Sequence, residues 1–161
     1  MEQNRLSASI QKYHATVFRV ALGYAKNFHD AQDIAQDVFF KLYKQDRTFP
    51  TDEAEKAWLI RVTINESKNL LKSAWLRKRV DLNDDLAAPE ECDLWLFEYV
   101  QKLKPIYRTV IYLYYYEQYT AKEIAAILKK PQATIETQLH RAKKHLRESI
   151  IKEEDYYAIR L

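Results

Sequence analysis

Residues 120–146 read TAKEIAAILKKPQATIETQLHRAKKHL, and this stretch decides the architecture. Thr120-Ala121-Lys122-Glu123 fits a capping box, in which the Thr hydroxyl accepts from the Glu123 backbone N–H and the Glu123 carboxylate reaches back. A short helix follows, with Ile124, Ala125 and Leu128 facing inward. Lys129 to Pro131 makes a turn, and Pro131 or Gln132 starts a last helix. Ile135, Leu139, Ala142 and Leu146 recur at spacings of four, three and four, which marks the inner face of that helix. Gln132, Glu136, Thr137, His140, Arg141 and Lys144 then fall on its outer face. Short helix, tight turn, longer helix with a polar and basic outer face is a helix-turn-helix arrangement, whose second helix reads base edges in the major groove.

The rest of the chain agrees with an all-helical reading. One glycine, Gly23, serves all 161 residues, whereas strand-rich folds use glycine at turns and bulges. Leu6, Ile10, Tyr13, Val17, Val20, Ala21 and Tyr24 recur at helical spacing and predict a first helix. Asn27 to Asp30 reads as a break with Asp30 as N-cap. The next helix presents Ile34, Ala35, Val38, Leu42 and Tyr43 to the core. Arg47 to Asp52, with Pro50, is a loop. Glu53 to Trp75 places Trp58, Val62 and Leu70 on the buried side, either as one helix or as two meeting near Asn65. Leu94 opens a second helical domain with Leu96, Tyr99, Val100 and Leu103 on one face. Pro105 starts the helix after that, through Val110, Ile111, Leu113 and Tyr114. The expected layout is therefore two small all-α domains, residues 1–80 and 94–161, joined by a flexible acidic linker over 81–93.

Charge is segregated more than the formal +3 suggests. Residues 68–79 hold five basic groups and no acidic one, residues 81–98 seven acidic and no basic one, and residues 120–152 eight basic against three acidic. Two basic blocks with an acidic tether between them suggest two contacts with a polyanion. A single cysteine, Cys92, leaves no disulfide framework and no metal cluster. His14, His29, His140 and His145 are scattered without ligand spacing, and a chain with one glycine has no phosphate-cradling loop. No cofactor, metal or enzymatic activity is expected. With no signal pattern and no long apolar run, a cytosolic, non-membrane protein is expected.

The helix-turn-helix residues, with Ala133-Thr134-Ile135 and His140 to Leu146, resemble region 4 of bacterial sigma-70-type factors. Asp30-Ala31-Gln32-Asp33-Ile34-Ala35-Gln36-Asp37-Val38-Phe39-Phe40-Lys41-Leu42-Tyr43 resembles region 2.2. Trp58-Leu59-Ile60-Arg61-Val62 with Asn65, Lys68 and Asn69 looks like regions 2.3 and 2.4. The segments occur in the family's order, and the two-domain layout is that of the extracytoplasmic-function class. The resemblance implies promoter recognition on behalf of RNA polymerase. Asp30, Asp33, Gln36, Asp37 and the exposed one of Phe39 and Phe40, taken as Phe40, would then meet core polymerase. Asn65, Lys68, Asn69 and Lys72 would contact the melted −10 element, and the 47–56 loop would hold a flipped base. Gln132, Thr134, Glu136, Thr137, His140, Arg141 and Lys144 would contact the double-stranded −35 element. An anti-sigma partner is also implied.

Three positions depart from the family pattern. Lys129 and Ala133 stand where glycines are common, so Lys129 is expected at positive φ. Glu136 stands where a basic residue is frequent, and its carboxylate either accepts from a cytosine amino group or repels phosphate. Two rival readings exist: a DNA-binding regulator that does not engage polymerase, which has no need of the acidic second helix or the Trp-Asn-Lys segment, and an interaction protein that binds polymerase or a partner helix without initiating transcription, its basic faces merely solvated. The acidic tether suggests a role in keeping the basic domains off random DNA, since an anionic strand competes with phosphates. Neutralising Asp84, Asp85, Glu90 and Glu91 is therefore expected to raise salt-sensitive nonspecific DNA binding in a filter or anisotropy titration, and unchanged binding refutes the idea.

Overall fold

The helical spacing of the N-terminal half produces three helices that cover one another's apolar stripes. The structure is a computed structural model that describes residues 2–25, 27–76 and 94–160, with side chains in 2–25, 27–73 and 98–154. Among these residues there is no strand, and no helix is long and apolar enough to cross a membrane. The chain divides into two compact units, Met1–Ala87 and Ala88–Leu161. The expected 81–93 linker lies outside the described residues.

In the first unit α1 spans Gln3–Ala25, α2 Phe28–Gln45 and α3 Asp52–Leu76, and each packs on the other two. Tyr13, Val17, Val20, Ala21 and Tyr24 of α1 are buried, with Leu6 and Ile10 half-buried at its outer end. Helix α2 buries Ile34, Ala35, Val38 and Leu42, but Tyr43, expected in the core, is 44% exposed. The N-cap of α2 is Asn27 rather than Asp30: the Asn27 side chain accepts from the Asp30 backbone N–H at 2.7 Å and donates to the Asp30 carboxylate at 2.8 Å. Asp30 is the first-turn partner of the cap, placed where the helix dipole favours an anion.

Helix α3 is one unbroken helix through Asn65. Its buried line is Trp58, Leu59, Ile60, Thr63, Ile64 and Ser67, whereas Val62 and Leu70 are only half-buried. The two hydroxyls in that line return their protons to the carbonyl one turn back, Thr63 to Leu59 and Ser67 to Thr63, each at 2.7 Å. That local bond lets polar residues sit in the core without an orphaned donor. Thr51 caps α3 by accepting from the Ala54 N–H at 3.1 Å, and Lys41 of α2 pairs with Glu66 of α3.

The second unit holds α4 (Leu94–Gln101), α5 (Pro105–Ile111), a wider π turn over Tyr112–Tyr116, α6 (Ala121–Leu128) and α7 (Gln132–Arg160). The first three helices have 8, 7 and 8 residues. Isolated helices shorter than about 12 residues are marginal in water, so these three depend on packing against α7. Val110, Ile111, Tyr112 and Leu113 are fully buried, so this apolar stretch is core helix and not a strand. Arg108 is fully buried among them and donates to the Gln101 carbonyl at 2.9 Å.

The α6–α7 connection carries the strain expected of a turn without glycine. Lys129 ends α6 at φ 54, ψ 47, the left-handed region. Lys129 and Lys130 both donate their N–H groups to the Ala125 carbonyl, which ends the helix cleanly. A side chain at that φ costs about 1 kcal/mol or more relative to glycine, part of which glycine's looser unfolded state offsets. Lys129→Gly is therefore expected to stabilise the second unit by about 0.5–1 kcal/mol, and Lys129→Val to destabilise it, in urea unfolding followed by circular dichroism. A lower midpoint for the glycine variant contradicts this account.

Candidate nucleic-acid interface

Burial of one stripe on α7 sets which residues face water. Ile135, Leu139, Ala142 and Leu146 are all buried, so Gln132, Glu136, Thr137, His140, Arg141 and Lys144 are all exposed along one side of the helix. Thr134, expected beside them, is half-buried at the start of the helix. The capping box is present in full: Glu123 N–H donates to Thr120 Oγ1 at 3.2 Å, and Thr120 N–H donates to the Glu123 carboxylate at 2.8 Å. Inside α6, Ile124, Ala125 and Ile127 are buried, and Leu128 is half-buried where it was expected to be core.

A bond along α7 was not legible in the spacing. Gln132 Nε2 donates to Glu136 Oε1 at 3.0 Å. One carboxylate oxygen of Glu136 is thereby occupied within the helix, and the other stays available to a donor. The Thr137 hydroxyl donates back to the Ala133 carbonyl at 2.9 Å, which fixes its rotamer and leaves its lone pairs outward.

On α3, Asn65, Lys68, Asn69 and Lys72 are all exposed. Their spacings of three, four and seven place them on one face. Trp58 is buried, as a core residue, and its ring meets Phe49 of the α2–α3 loop at 5.6 Å. That contact anchors the loop to the helix that carries the polar face.

On α2, Asp33, Gln36, Asp37 and Phe40 are exposed together. Phe40 is 54% exposed while Phe39 is 6% exposed, which decides between the two phenylalanines. Lys44 lies over the Phe40 ring at 4.6 Å. Asp30 is engaged differently from the other carboxylates of the stripe, since Asn27 holds it in the cap. His29 Nδ1 lies 3.4 Å from Asp33 and 3.9 Å from Asp30.

The cations sort into two kinds. Lys12 and Lys41 are held by Asp52 and Glu66. Lys68, Lys72, Arg141 and Lys144 enter no ion pair among the described residues. Unpaired cations on an exposed helix face are what a phosphate backbone displaces counterions to reach.

Two helical units, each presenting a polar and cationic helix face, define a modular nucleic-acid-binding protein. Residues 10–77 match the family model for sigma-70 region 2 and residues 93–146 that for sigma-70 region 4. The chain is 29% identical over 157 residues to RNA polymerase sigma factor SigV of Bacillus subtilis (strain 168), covering 92% of this chain and 93% of that one. It is 25% identical to the ECF RNA polymerase sigma factor SigW of the same organism, covering 92% and 90%. Against the ECF RNA polymerase sigma-E factor of Escherichia coli (strain K12) it is 24% identical, covering 88% and 84%. In fold it is similar to the sigma factor RpoE of Bartonella quintana, solved with the anti-sigma factor NepR, at TM-score 0.72 and 21% identity over 88% of this chain and 94% of that one. CnrH, solved with the cytosolic domain of CnrY, matches at TM-score 0.65 and 21% identity over 94% and 90%. The chain belongs to the sigma-70 family, in its extracytoplasmic-function class.

The geometry of Glu136 generates a prediction for the second unit. A free carboxylate oxygen on an outward helix face selects a donor, and among base edges in the major groove the cytosine amino group is one. Glu136→Ala is expected to lose preference for one base pair by about 1–3 kcal/mol while nonspecific DNA affinity rises, measured by competitive binding to a randomised upstream element. Unchanged affinity and unchanged preference together contradict the role.

Proposed function

We propose that this chain binds core RNA polymerase and directs it to promoters, with residues 1–80 engaging the enzyme and the −10 element and residues 94–161 the −35 element. The observation that carries this reading is the pairing of two exposed polar faces, one on α3 and one on α7, each on a unit that matches a sigma-70 region. Asp33, Gln36, Asp37 and Phe40 form the polymerase contact, with Asp30 at its edge as part of the cap. An acidic stripe around one exposed aromatic suits a basic, partly apolar partner surface.

Asn65 and Asn69 offer amide groups to unpaired bases, and Lys68 and Lys72 neutralise the phosphates between them. The 47–56 segment, a loop that runs into the first turn of α3 and is braced by Phe49 on Trp58, takes the flipped −10 base. In the second unit α7 lies in the major groove with Gln132, Glu136, Thr137, His140, Arg141 and Lys144 toward base edges and backbone, and Thr134 near the entry of the helix. The protein does no covalent chemistry of its own, needs no cofactor and works in the cytoplasm beside the polymerase. Control by an anti-sigma factor follows the precedent of the Bartonella quintana sigma factor solved with NepR.

Run-off transcription with purified core polymerase over a library of promoter fragments tests the reading directly. Specific start sites are expected only when the protein is added. Asp33→Lys with Asp37→Lys is expected to lower core retention at least about tenfold, because like charges across an interface cost several kcal/mol. DNA binding without initiation, and without retention of core polymerase, instead identifies a regulator that ignores polymerase.

A further inference from the structure

The α2–α3 loop and the first turn of α3, which together make up residues 47–56, are held from the α1 side. Arg5 Nη2 donates to the Arg47 carbonyl at 3.2 Å. Ser9 Oγ donates to Glu55 Oε1 at 2.6 Å. Lys12 pairs with Asp52, and the Tyr13 hydroxyl donates to the Asp52 carbonyl at 3.1 Å. Three successive turns of α1 thus reach one short segment some 40 residues later in the chain.

We propose that the N-terminal half of α1 is a clasp that fixes the first turn of α3 and, through it, the conformation of the 47–51 loop and its base preference, with Ser9 and Lys12 as positioning residues. The inference rests on the reading of this loop as the −10 base-capturing element. An open cavity of about 580 Å³ separates α1 from Phe49, Pro50 and Thr51, so apolar packing does not hold the loop on this side. Polar bonds do. On its other side the loop has the Phe49–Trp58 contact, and Arg47 lies over the same Phe49 ring at 5.7 Å.

The bonds differ in what they contribute. Lys12 and Asp52 are both largely exposed, so their pair adds little to folding stability and acts by geometry. Ser9 is buried and gives Glu55 a charge-assisted bond, the stronger kind. The bond to Asp52 raises the Lys12 pKa, and burial, followed by the Asp52 charge, raises that of Tyr13. Both groups therefore remain donors throughout the neutral range. Base capture requires a loop already shaped for one base, because ordering it at the moment of binding subtracts from discrimination.

The test is run-off transcription by the full chain with core polymerase, on promoters carrying each of the four bases at each −10 position and separately at each −35 position. Single mismatches in a site commonly cost about 5- to 150-fold. Ser9→Ala and Lys12→Glu are expected to reduce discrimination at one −10 position at least about threefold, with −35 discrimination and core affinity unchanged. Combining Lys12→Glu with Asp52→Lys is expected to restore it, since the pair is rebuilt with its charges exchanged. Phe49→Ala serves as the control on the loop itself. If Phe49→Ala leaves −10 preference intact, the loop reading fails and the clasp with it. If Phe49→Ala flattens the preference while the α1 variants do not, or if −10 and −35 discrimination fall together, the clasp alone is overturned.

Discussion

A helix that buries one stripe has no freedom left in the direction it presents the opposite one. That constraint organises both units. Burying Ile135, Leu139, Ala142 and Leu146 fixes the rotation of α7 about its axis, and only then do Gln132, Glu136, His140 and Arg141 form a single outward line. The same holds for α3, where Thr63, Ile64 and Ser67 turn inward and so carry Asn65, Lys68, Asn69 and Lys72 outward. Fully burying a residue the size of Ile135 or Leu139 contributes roughly 1.5–3 kcal/mol. Rotating either helix by one residue position exchanges several of those burials for exposed apolar surface. Reading positions on such a helix are therefore rigid without any bond of their own.

The scarcity of glycine puts the remaining strain at the helix ends. Gly23 lies buried inside α1 and serves no turn. Asp46, Gln118 and Lys129 take positive φ instead, at 43, 57 and 54. Asp is among the residue types that tolerate this region, whereas Lys is not. Each of these residues follows or precedes a helix whose exit direction matters. Asp46 opens the loop before α3, Gln118 lies between the π turn and α6, and Lys129 sets the crossing of α6 and α7. Backbone left unsatisfied at these points is caught locally, as at Ala125, which receives the N–H groups of both Lys129 and Lys130.

What was legible in the sequence was whatever is local in the sequence. The capping box, the buried line of α7 and the left-handed Lys129 each depend on residues within a turn or two of one another. Failures came where two local signals competed or none existed. Asn27 and Asp30 are both good caps three residues apart, and the structure uses both, with Asn27 as the cap and Asp30 as its partner. Helix α3 was read through its large residues, Trp58, Val62 and Leu70, while its true buried line continues through Thr63 and Ser67. Small hydroxyl residues do not stand out as core, because their suitability comes from bonds to the preceding turn that only the folded helix provides. Tyr43 belongs to the apolar period of α2, yet its position near the helix end leaves it outside the packing. The bonds from α1 to the α2–α3 loop and the first turn of α3 span about 40 positions, and no periodicity carries such a relation.

The division among the lysines joins the folded and the functional levels. A cation that stabilises the fold needs a carboxylate within reach, and Lys12 and Lys41 have one each, both on α3. A cation that serves a polyanion must not be spent in this way, because each internal pair has to be broken before phosphate is met. Lys68, Lys72, Arg141 and Lys144 stand on faces from which acidic neighbours are largely missing. Among the base-reading positions the exception is Glu136, with Glu148 further along the same side of α7, and the Gln132 partner of Glu136 takes up one of its oxygens without neutralising its charge. A negative charge kept on a face built for phosphate lowers general affinity for DNA. Its retention makes physical sense where discrimination among bases matters more than total binding, since only a donor placed at the right base edge offsets the repulsion.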